Sequence, residues 1–512
     1  MTLPSRRTAG LIGLGAALLA ASYPPFRLPI LSFVALTPAV VLLRELERAG
    51  DARRALRLGF GYGFLAQGLV LYWLVVALWH FTPLSALGYF ATIAVYGLWT
   101  AGLFWLVLRI RLRLPSLPLW VAFPLVWTAL EWGVGHQGDI RFPWLGLGTS
   151  LADAPILIQW ADLAGARGAT LWLAWCNVML VDALLLGEGP RRSFVRRVLP
   201  VLTSILLALG YGAWREHSIV LRRAGVVGLV QPNEGFKEKW NRARQDSVLA
   251  NLFALSRRLE DSSRFDLLIW PEAAVPDYFV NRPDWDPAIA QHARTSGTPL
   301  LTGGVDAVFY PGGAYDYYNA AFFYDSTGNR SVYPVYHKRY LVPIVERVPF
   351  INPRWLHLKW FGGFGRGHEL PLYATRVGKF GVLICYESIF DDLARGYRRE
   401  GADFLVNITN DAWYGRTAGP YQHASHLVLR AIETRMGVAR AANSGISETV
   451  DPLGRVHDAT ALEVRTAETS TLITSDVTTW YVRLGDWVGM LTVIATLGFA
   501  GMIAVQAWRR RP

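Results

Sequence analysis

Charge, lysine, methionine and cysteine are all scarce in this chain of 512 residues. Charged residues make up 18% and hydrophobic ones 52%, and the mean hydropathy is +0.25. A disordered chain would be richer in charge, and an ordinary soluble enzyme would be less apolar. Two cysteines, Cys176 and Cys385, cannot build a disulfide framework. Lysine occurs five times (Lys237, Lys239, Lys338, Lys359 and Lys379) against 46 arginines. Where arginine is so favoured, a retained lysine points to a need for a compact ammonium rather than a planar fork. No internal repeat and no low-complexity segment occurs.

What is abundant is arginine, and its placement carries information. The formal net charge is +12. Residues 1–218 hold 18 basic and 10 acidic residues, residues 219–480 hold 29 and 28, and residues 481–512 hold 4 and 1. A nucleic-acid binder needs a basic surface on its folded domain. Here the only large polar stretch is nearly neutral, so nucleic acid is excluded as a partner.

Apolar runs near the 20-residue length of a membrane span lie at about 8–23, 28–43, 58–80, 84–108, 119–135, 168–187, 198–214 and 486–508. Arg6 and Arg7 before the first run, with Ala20-Ala21-Ser22 after it, imitate a cleavable signal. Further spans follow closely, and the run reads as a retained helix. About eight spans are expected: a membrane domain over 1–218 with seven, and one more in 481–512 ahead of a basic tail.

Orientation follows from basic residues in short loops. One alternate set of connections holds Arg6, Arg7, Arg44, Arg48, Arg53, Arg54 and Arg57. The set continues with Arg109, Arg111, Arg113, Arg191, Arg192, Arg196 and Arg197, and ends with Arg509, Arg510 and Arg511. The opposite set holds Arg27, Arg141 and Arg167, with Arg215 and Arg483 at the edges of the large domain. The first set is cytoplasmic by this rule, as are both termini, and 219–480 faces outward. In a bacterium that is the periplasmic face of the inner membrane. The connection 136–167, with Phe142-Pro143-Trp144, lies outside too, in the interface or as a structured cover.

Residues 219–480 alternate β-rich runs with amphipathic stretches. The runs are Gly225–Gln231, Asp266–Trp270, Pro299–Gly303, Ala320–Tyr324, Phe380–Tyr386 and Asp403–Ile408; helical patterns occupy about 241–260, 388–399 and 421–434. That order predicts an α/β domain with buried sheets.

Three segments carry candidate chemistry. In Leu267-Leu268-Ile269-Trp270-Pro271-Glu272 an apolar strand ends at a proline and a carboxylate, which beside Trp270 can serve as a general base. Tyr336-His337-Lys338-Arg339 holds one of the five lysines. In Gly381-Val382-Leu383-Ile384-Cys385-Tyr386-Glu387-Ser388 a buried strand delivers a cysteine to a helical pattern, whose first N–H groups stabilise thiolate and oxyanion alike. Each segment alone is equally consistent with a surface turn, a solvated lysine or an inert core cysteine.

Taken together, glutamate, lysine and cysteine in this order, each at or just beyond a strand, resemble the nitrilase (carbon–nitrogen hydrolase) superfamily over about 225–476. Set between seven spans and an eighth, such a domain resembles the apolipoprotein N-acyltransferase family over nearly the whole chain. Further segments fit: Gln231-Pro232-Asn233 with Trp240, Tyr318-Asn319, the run Asn407–Gly415, and Arg440–Gly445. The resemblance implies a four-layer αββα sandwich over 219–480. It implies Cys385 as nucleophile, Glu272 as general base and acid, and Lys338 as electrostatic support, with the ammonium lowering the thiol's pKa. Glu346, Tyr386, Glu387 and Asn319 are implied as supporting residues. Trp240, Trp413, Asn410 and Arg440 are implied at the substrate, the tryptophans on arms over the pocket. At one point the sequence departs from the family pattern: Val345 stands where a glycine is expected before Glu346.

The activity implied is ping-pong acyl transfer. An acyl chain from the sn-1 position of a phospholipid, phosphatidylethanolamine in the first place, passes to Cys385 as a thioester. It then passes to the α-amine of the S-diacylglyceryl cysteine that begins a lipoprotein. No cofactor is implied, and the chain reads as a monomer. His423 and His426 lack acidic or thiol partners in the sequence around them, so no metal is expected. Two other readings fit the composition: a membrane-tethered amidase acting on a small periplasmic amide, and a non-catalytic sensor or transporter. The second has no need of Glu272, Lys338 and Cys385 together.

Overall fold

The computed structural model describes residues 5–79, 86–185, 194–235, 239–279, 281–311, 315–351 and 363–509. Arg191, Arg192, Arg510 and Arg511 of the loop-charge pattern lie outside the described residues. The chain forms two compact units. One is Met1–His136, Phe142–Ser218 and Leu484–Pro512; the other is Gln137–Arg141 and Ile219–Arg483. The sequence-based boundaries at 218 and 480 differ from this division chiefly at Gln137–Arg141, which pack with the second unit.

The first unit is helical: α1 (Arg6–Ser22), α2 (Thr37–Ala49), α3 (Ala52–Val70), α4 (Trp73–Trp79), α5 (Leu87–Arg113), α6 (Leu119–Gly135), α7 (Ala161–Leu185), α8 (Leu199–Ser218) and a C-terminal helix, Trp487–Arg509. Among the described residues four helical stretches are long and apolar enough to cross a membrane: Pro29–Ala49, Leu87–Arg113, Val195–Ser218 and Trp487–Arg509. A fifth results if α3 and α4, bent by 65°, count as one span. The expected eight included shorter helices. Both α1 and α6 have 17 residues, about 26 Å at the helical rise, against a hydrocarbon core of about 30 Å.

Charges inside this unit are paired, as low dielectric requires. Arg44 of α2 meets Asp182 of α7 at 2.6 Å, Arg111 meets Glu47 at 2.6 Å, and Arg215 meets Asp162 at 2.6 Å. Between α3 and α5 the backbones touch through Gly59 and Gly63. A Cβ at Gly63 would lie 2.3 Å from Thr100 Oγ1, and one at Gly59 2.7 Å from Thr100 O. Small residues four apart permit that approach.

The second unit holds two six-stranded sheets. The first has the order β12 (Thr466–Thr474), β1 (Arg222–Gln231), β2 (Leu267–Ile269), β3 (Leu300–Phe309), β4 (Tyr315–Tyr324) and β5 (Tyr336–His337). The second has β11 (Val456–His457), β10 (Glu448–Val450), β9 (Gly437–Ala442), β8 (Phe404–Thr409), β7 (Gly378–Ile384) and β6 (Tyr373–Thr375). Strands β1, β2 and β3 run parallel to one another, as do β7, β8 and β9. The sheets meet face to face: Phe323 of β4 packs on Tyr373 and Phe380, with ring centroids 5.2 and 5.6 Å apart.

Helices cover the outer faces. On the first sheet α9 (Gln245–Ser262) and α10 (Trp285–Ser296) bury Leu252, Leu259, Trp285 and Ile289 against Leu268, Trp270 and Phe322. On the second, α11 (Asp391–Arg399) lies on β7 and β8, and α12 (Gly419–Thr434) on β9 and β10. The layers are therefore αββα. Strand β6, strands β9 to β12 and helix α10 were not marked in the sequence. In β12 the reason is its alternating polar pattern, Thr-Ala-Glu-Thr-Ser-Thr-Leu-Ile-Thr, which buries one face only.

Gly63→Val in α3 forces α5 away and is expected to lower the thermal midpoint of the detergent-purified protein, an overpacking cost of about 1–3 kcal/mol. Gly61→Ala, whose Cβ would meet nothing closer than 3.9 Å, leaves it unchanged or slightly raised. Differential scanning fluorimetry of the two variants distinguishes a close-packed α3–α5 seam from a loose one.

Candidate active site

Open α/β sheets place their reactive groups beyond the carboxyl ends of the parallel strands. Here two sheets contribute, Glu272 following β2 and Cys385 following β7. Lys338 comes directly after β5, and its backbone N–H donates to Asn319 O of β4 at 2.8 Å. Between Trp270 and Glu272 the chain turns at Pro271, with Ala273 left-handed at φ 47°. Gly303 of β3 passes against that turn so closely that a Cβ would lie 2.7 Å from both Glu272 Cα and Pro271 O. Only glycine fits there. Trp270 turns the other way, into the helical layer, where its Nε1–H donates to Ser256 Oγ at 2.9 Å. It is a core residue and leaves Glu272 to polar neighbours.

Those neighbours form a charge set out of water. Glu272 and Lys338 are 6% and 1% exposed. Lys338 Nζ donates to Glu346 Oε1 at 2.9 Å and lies 3.6 Å from Glu272 Oε1. Asn319 Nδ2 donates to both carboxylates, at 2.7 Å to Glu272 and 3.0 Å to Glu346. The backbone N–H of Asn410 donates to Glu272 Oε2 at 2.8 Å. Burial alone would lower the pKa of Lys338, but Glu346, Glu272 and Cys385 outweigh it and raise it well above the ordinary lysine value. Lys338 is a fixed cation.

Glu346 reaches this set in spite of Val345. The left-handed residue is Ile344 (φ 69°), in a turn closed by Val345 N–H to Pro343 O at 2.8 Å. The left-handed position is thus one residue before Val345, and the Ile344 side chain is exposed.

Cys385 does not head an α-helix. It opens one 3₁₀ turn, Cys385–Ile389, and α11 begins only at Asp391. Cys385 itself is left-handed, φ 51°, which costs a non-glycine residue about 1–2 kcal/mol. Its thiol is not activated at rest. Burial and the charge of Glu272 raise its pKa far above that of a free cysteine, and Lys338 offsets only part of this. Burial and the charge of Glu272 thus outweigh the lowering by Lys338 that the resemblance implies, which favours deprotonation by a base as the thiol reacts.

Glu387 ties the lysine loop to the cysteine strand. Its carboxylate accepts from the backbone N–H groups of Arg339 (2.6 Å), Tyr340 (3.1 Å) and Ile384 (2.8 Å), and from Tyr336 Oη at 2.9 Å. Burial raises its pKa to about 7 against these donors. Tyr386 Oη donates to Arg141 O at 2.6 Å.

Of the residues expected at the substrate, Trp240 is exposed and Trp413 half-buried. Asn410 is buried, its Oδ1 accepting from Asn443 Nδ2 at 2.9 Å. Arg440 is fully buried, and its guanidinium donates to Asn407 Oδ1, Asp411 Oδ2 and Ile446 O. Its donors therefore serve the interior of the second sheet and not an open pocket.

Four polar residues near the site were not given roles in the sequence reading. Lys239 is buried, donates to Glu272 O at 3.0 Å, and has its pKa lowered to about 8 by burial, against Glu272 and Glu234. The scarcity of lysine marked Lys239 as much as Lys338. Thr409, Asp411 and His423 stand behind Cys385. Burial opposes the charge of Asp411, yet Arg440 and His423 hold its pKa near 2, so it stays ionised.

Two sheets whose strand ends unite a buried glutamate, lysine and cysteine define a protein of the carbon–nitrogen hydrolase class. Residues 225–484 match the family model of that name, and residues 15–179 match that of the apolipoprotein N-acyltransferase N-terminal domain. An apolipoprotein N-acyltransferase of Geobacter metallireducens is 33% identical over 509 residues, 97% of this chain and 95% of that one. That of Chlorobaculum tepidum is 30% identical over 96% and 94%. An amidase of Nesterenkonia sp. of known structure is 18% identical, with a TM-score of 0.37 over 52% of this chain and 95% of that one. The chain belongs to the apolipoprotein N-acyltransferase family and is a bacterial membrane protein.

Lys338→Met removes an ammonium that favours the thiolate and leaves Glu272 and Glu346 to repel each other. The thiol pKa then rises further, so the thiolate fraction at a given pH falls. Alkylation of Cys385 by iodoacetamide at pH 8 is expected to slow at least tenfold. The thermal midpoint falls as well, by the equivalent of about 3–5 kcal/mol for an unpaired buried charge. Equal alkylation rates in the two proteins would show that Lys338 does not act on the thiol.

Proposed function

We propose that this protein transfers a fatty acyl chain from a phospholipid to the α-amine of the S-diacylglyceryl cysteine at the start of a lipoprotein. Phosphatidylethanolamine is the donor in this reading, and a monomer is the working unit. The observation that carries it is the burial of Glu272, Lys338 and Cys385 together at the strand ends of two sheets.

In the first half-reaction Glu272 takes the thiol proton and Cys385 Sγ attacks the sn-1 ester carbonyl. A tetrahedral oxyanion forms, held by Lys338 and the backbone N–H of Tyr386. One such donor is typically worth about 3–4 kcal/mol in the transition state. The ester C–O bond breaks, Glu272 returns the proton to the alkoxide, and lysophospholipid leaves a thioester behind. In the second half the α-amine attacks the thioester and gives up a proton to Glu272. The C–S bond breaks, the thiolate is reprotonated, and an amide is formed. A neutral resting thiol suits this sequence, because the base is used once in each half.

Asn319 and Glu346 keep Lys338 and Glu272 apart yet neutralised. Trp240 and Trp413 screen the thioester from water on the acceptor's path. Asn410 acts through its backbone N–H on Glu272. Both substrates are anchored by acyl chains, so the catalytic domain, residues 219–480, faces the periplasm at the outer leaflet of the inner membrane. Both termini, Arg509 included, are cytoplasmic.

Purified protein incubated with phosphatidylethanolamine vesicles is expected to gain one hydroxylamine-labile acyl group on Cys385, found by peptide mass spectrometry. Cys385→Ala should gain none while keeping its thermal midpoint. Hydrolysis of a soluble amide by an enzyme that takes no acyl group would overturn the reading in favour of an amidase. The topology has its own check: a reporter active only outside the cytoplasm should work when fused after Arg215 and fail when fused after Arg197. The reverse pattern would invert the assigned face.

A further inference from the structure

Behind Cys385 stands a buried polar group that the reaction as written does not use. His423, in the second turn of α12, is fully buried. Its Nε2 lies 3.0 Å from the main-chain oxygen of Cys385. Its Nδ1 lies 2.9 Å from Asp411 Oδ1 and 3.2 Å from Arg440 Nη2. A carbonyl oxygen only accepts, so Nε2 carries the hydrogen of that bond. Asp411 is itself held by Arg440 (2.7 Å) and by the hydroxyl of Thr409 (3.0 Å), and Thr409 also hydrogen-bonds to the side chain of Cys385. One carboxylate thus anchors the nucleophile twice, through its side chain by Thr409 and through its main chain by His423.

The main-chain contact matters because Cys385 is left-handed, with φ 51°. Such a backbone persists only where its surroundings hold it. The carbonyl of Cys385 and the N–H of Tyr386 belong to one planar peptide and point in opposite directions. A group that fixes the carbonyl on one side therefore aims the N–H on the other. We propose that His423 is a positioning residue: by donating to the carbonyl of Cys385 it orients the Cys385–Tyr386 peptide so that the Tyr386 N–H faces the tetrahedral oxyanion. The inference rests on the acyl-transfer reading given above. His423 never touches substrate, and its partner Asp411 sets the orientation of the ring.

Two substitutions separate this role from mere support of Asp411. In His423→Gln the side-chain amide takes the place of Nε2 and keeps a donor for the Cys385 carbonyl. In His423→Asn the amide takes the place of Nδ1, so contact with Asp411 is kept and the reach to Cys385 is lost. Single-turnover acylation by phosphatidylethanolamine vesicles is compared with alkylation of Cys385 by iodoacetamide, a displacement that forms no oxyanion. Thermal midpoints confirm that each variant is folded. His423→Asn is expected to lower the acylation rate 10²–10³-fold, the range for loss of an oxyanion donor. Its half-saturating lipid concentration and its alkylation rate should stay within threefold of wild type. His423→Gln should recover at least tenfold of the loss.

An acylation rate within threefold of wild type in a folded His423→Asn protein would overturn the inference. So would Asn outperforming Gln, or acylation and alkylation falling in parallel. If His423→Asn does not fold, a folded His423→Gln protein decides: retention of acylation within tenfold supports the proposal, and a larger loss overturns it. A wild-type protein that takes no acyl group overturns the acyl-transfer reading and this inference with it. An acylated wild type matched by the Asn variant overturns the inference alone.

Discussion

Everything at the site depends on keeping a lysine ammonium out of water between two carboxylates. Lys338 is almost wholly buried, and the interior could not hold it without Glu346 at 2.9 Å and Glu272 at 3.6 Å. The desolvation of such a set is recovered only when the geometry is good and the remaining lone pairs are occupied. Asn319 and the backbone N–H of Asn410 occupy them. The surrounding architecture can be read as what this requirement demands: two sheets meeting face to face, with strand ends that deliver each charge from a separate element.

The same constraint explains the state of the nucleophile. A thiolate beside Glu272 would add a third negative charge to the buried set in which Lys338 faces Glu272 and Glu346. Burial and Glu272 therefore shift the thiol's pKa upward, and Lys338 offsets part of that shift. Acyl transfer gains from this, because a permanently ionised cysteine is exposed to oxidation. Holding back the charge shifts the burden onto geometry, and the backbone bears it. Glu387 ties the lysine loop to the strand of Cys385 through three main-chain N–H groups and Tyr336. Gly303 lets β3 press against the turn of Glu272. Asp411 gathers Arg440, Thr409 and His423 behind the cysteine.

Much of this was legible in the chain itself. All six β-rich runs fall on strands, five of them parallel and one, β4, antiparallel, because strands buried on both faces are near-continuous apolar segments. Glu272 and Cys385 stood out at the ends of such runs, and Lys338 by the scarcity of lysine. Strands β9 to β12 were silent. Gly437–Ala442 is small and includes a buried arginine, and β12 is polar on alternate residues, so neither gives a run. Arg440, implied at the substrate by the resemblance, is fully buried with its donors on Asn407, Asp411 and Ile446, partners that its place in the chain does not announce. Trp270 looked like a neighbour of Glu272 because adjacent residues on a strand give no hint that they face opposite ways until the sheet has a core side and a helix side.

The sequence by itself determined the separation of an apolar, arginine-flanked part from a nearly neutral α/β part, and the three residues proposed to carry the chemistry. These are local properties, written in hydropathy, loop charge and residue type at strand ends. The tertiary structure alone decided the upward shift of the Cys385 thiol's pKa, the left-handed turn at Ile344, and the meeting of Asp411 and His423 with Cys385. Each arises from groups far apart in the chain meeting at low dielectric, where a charge or a carbonyl is defined by its partners more than by its neighbours in sequence.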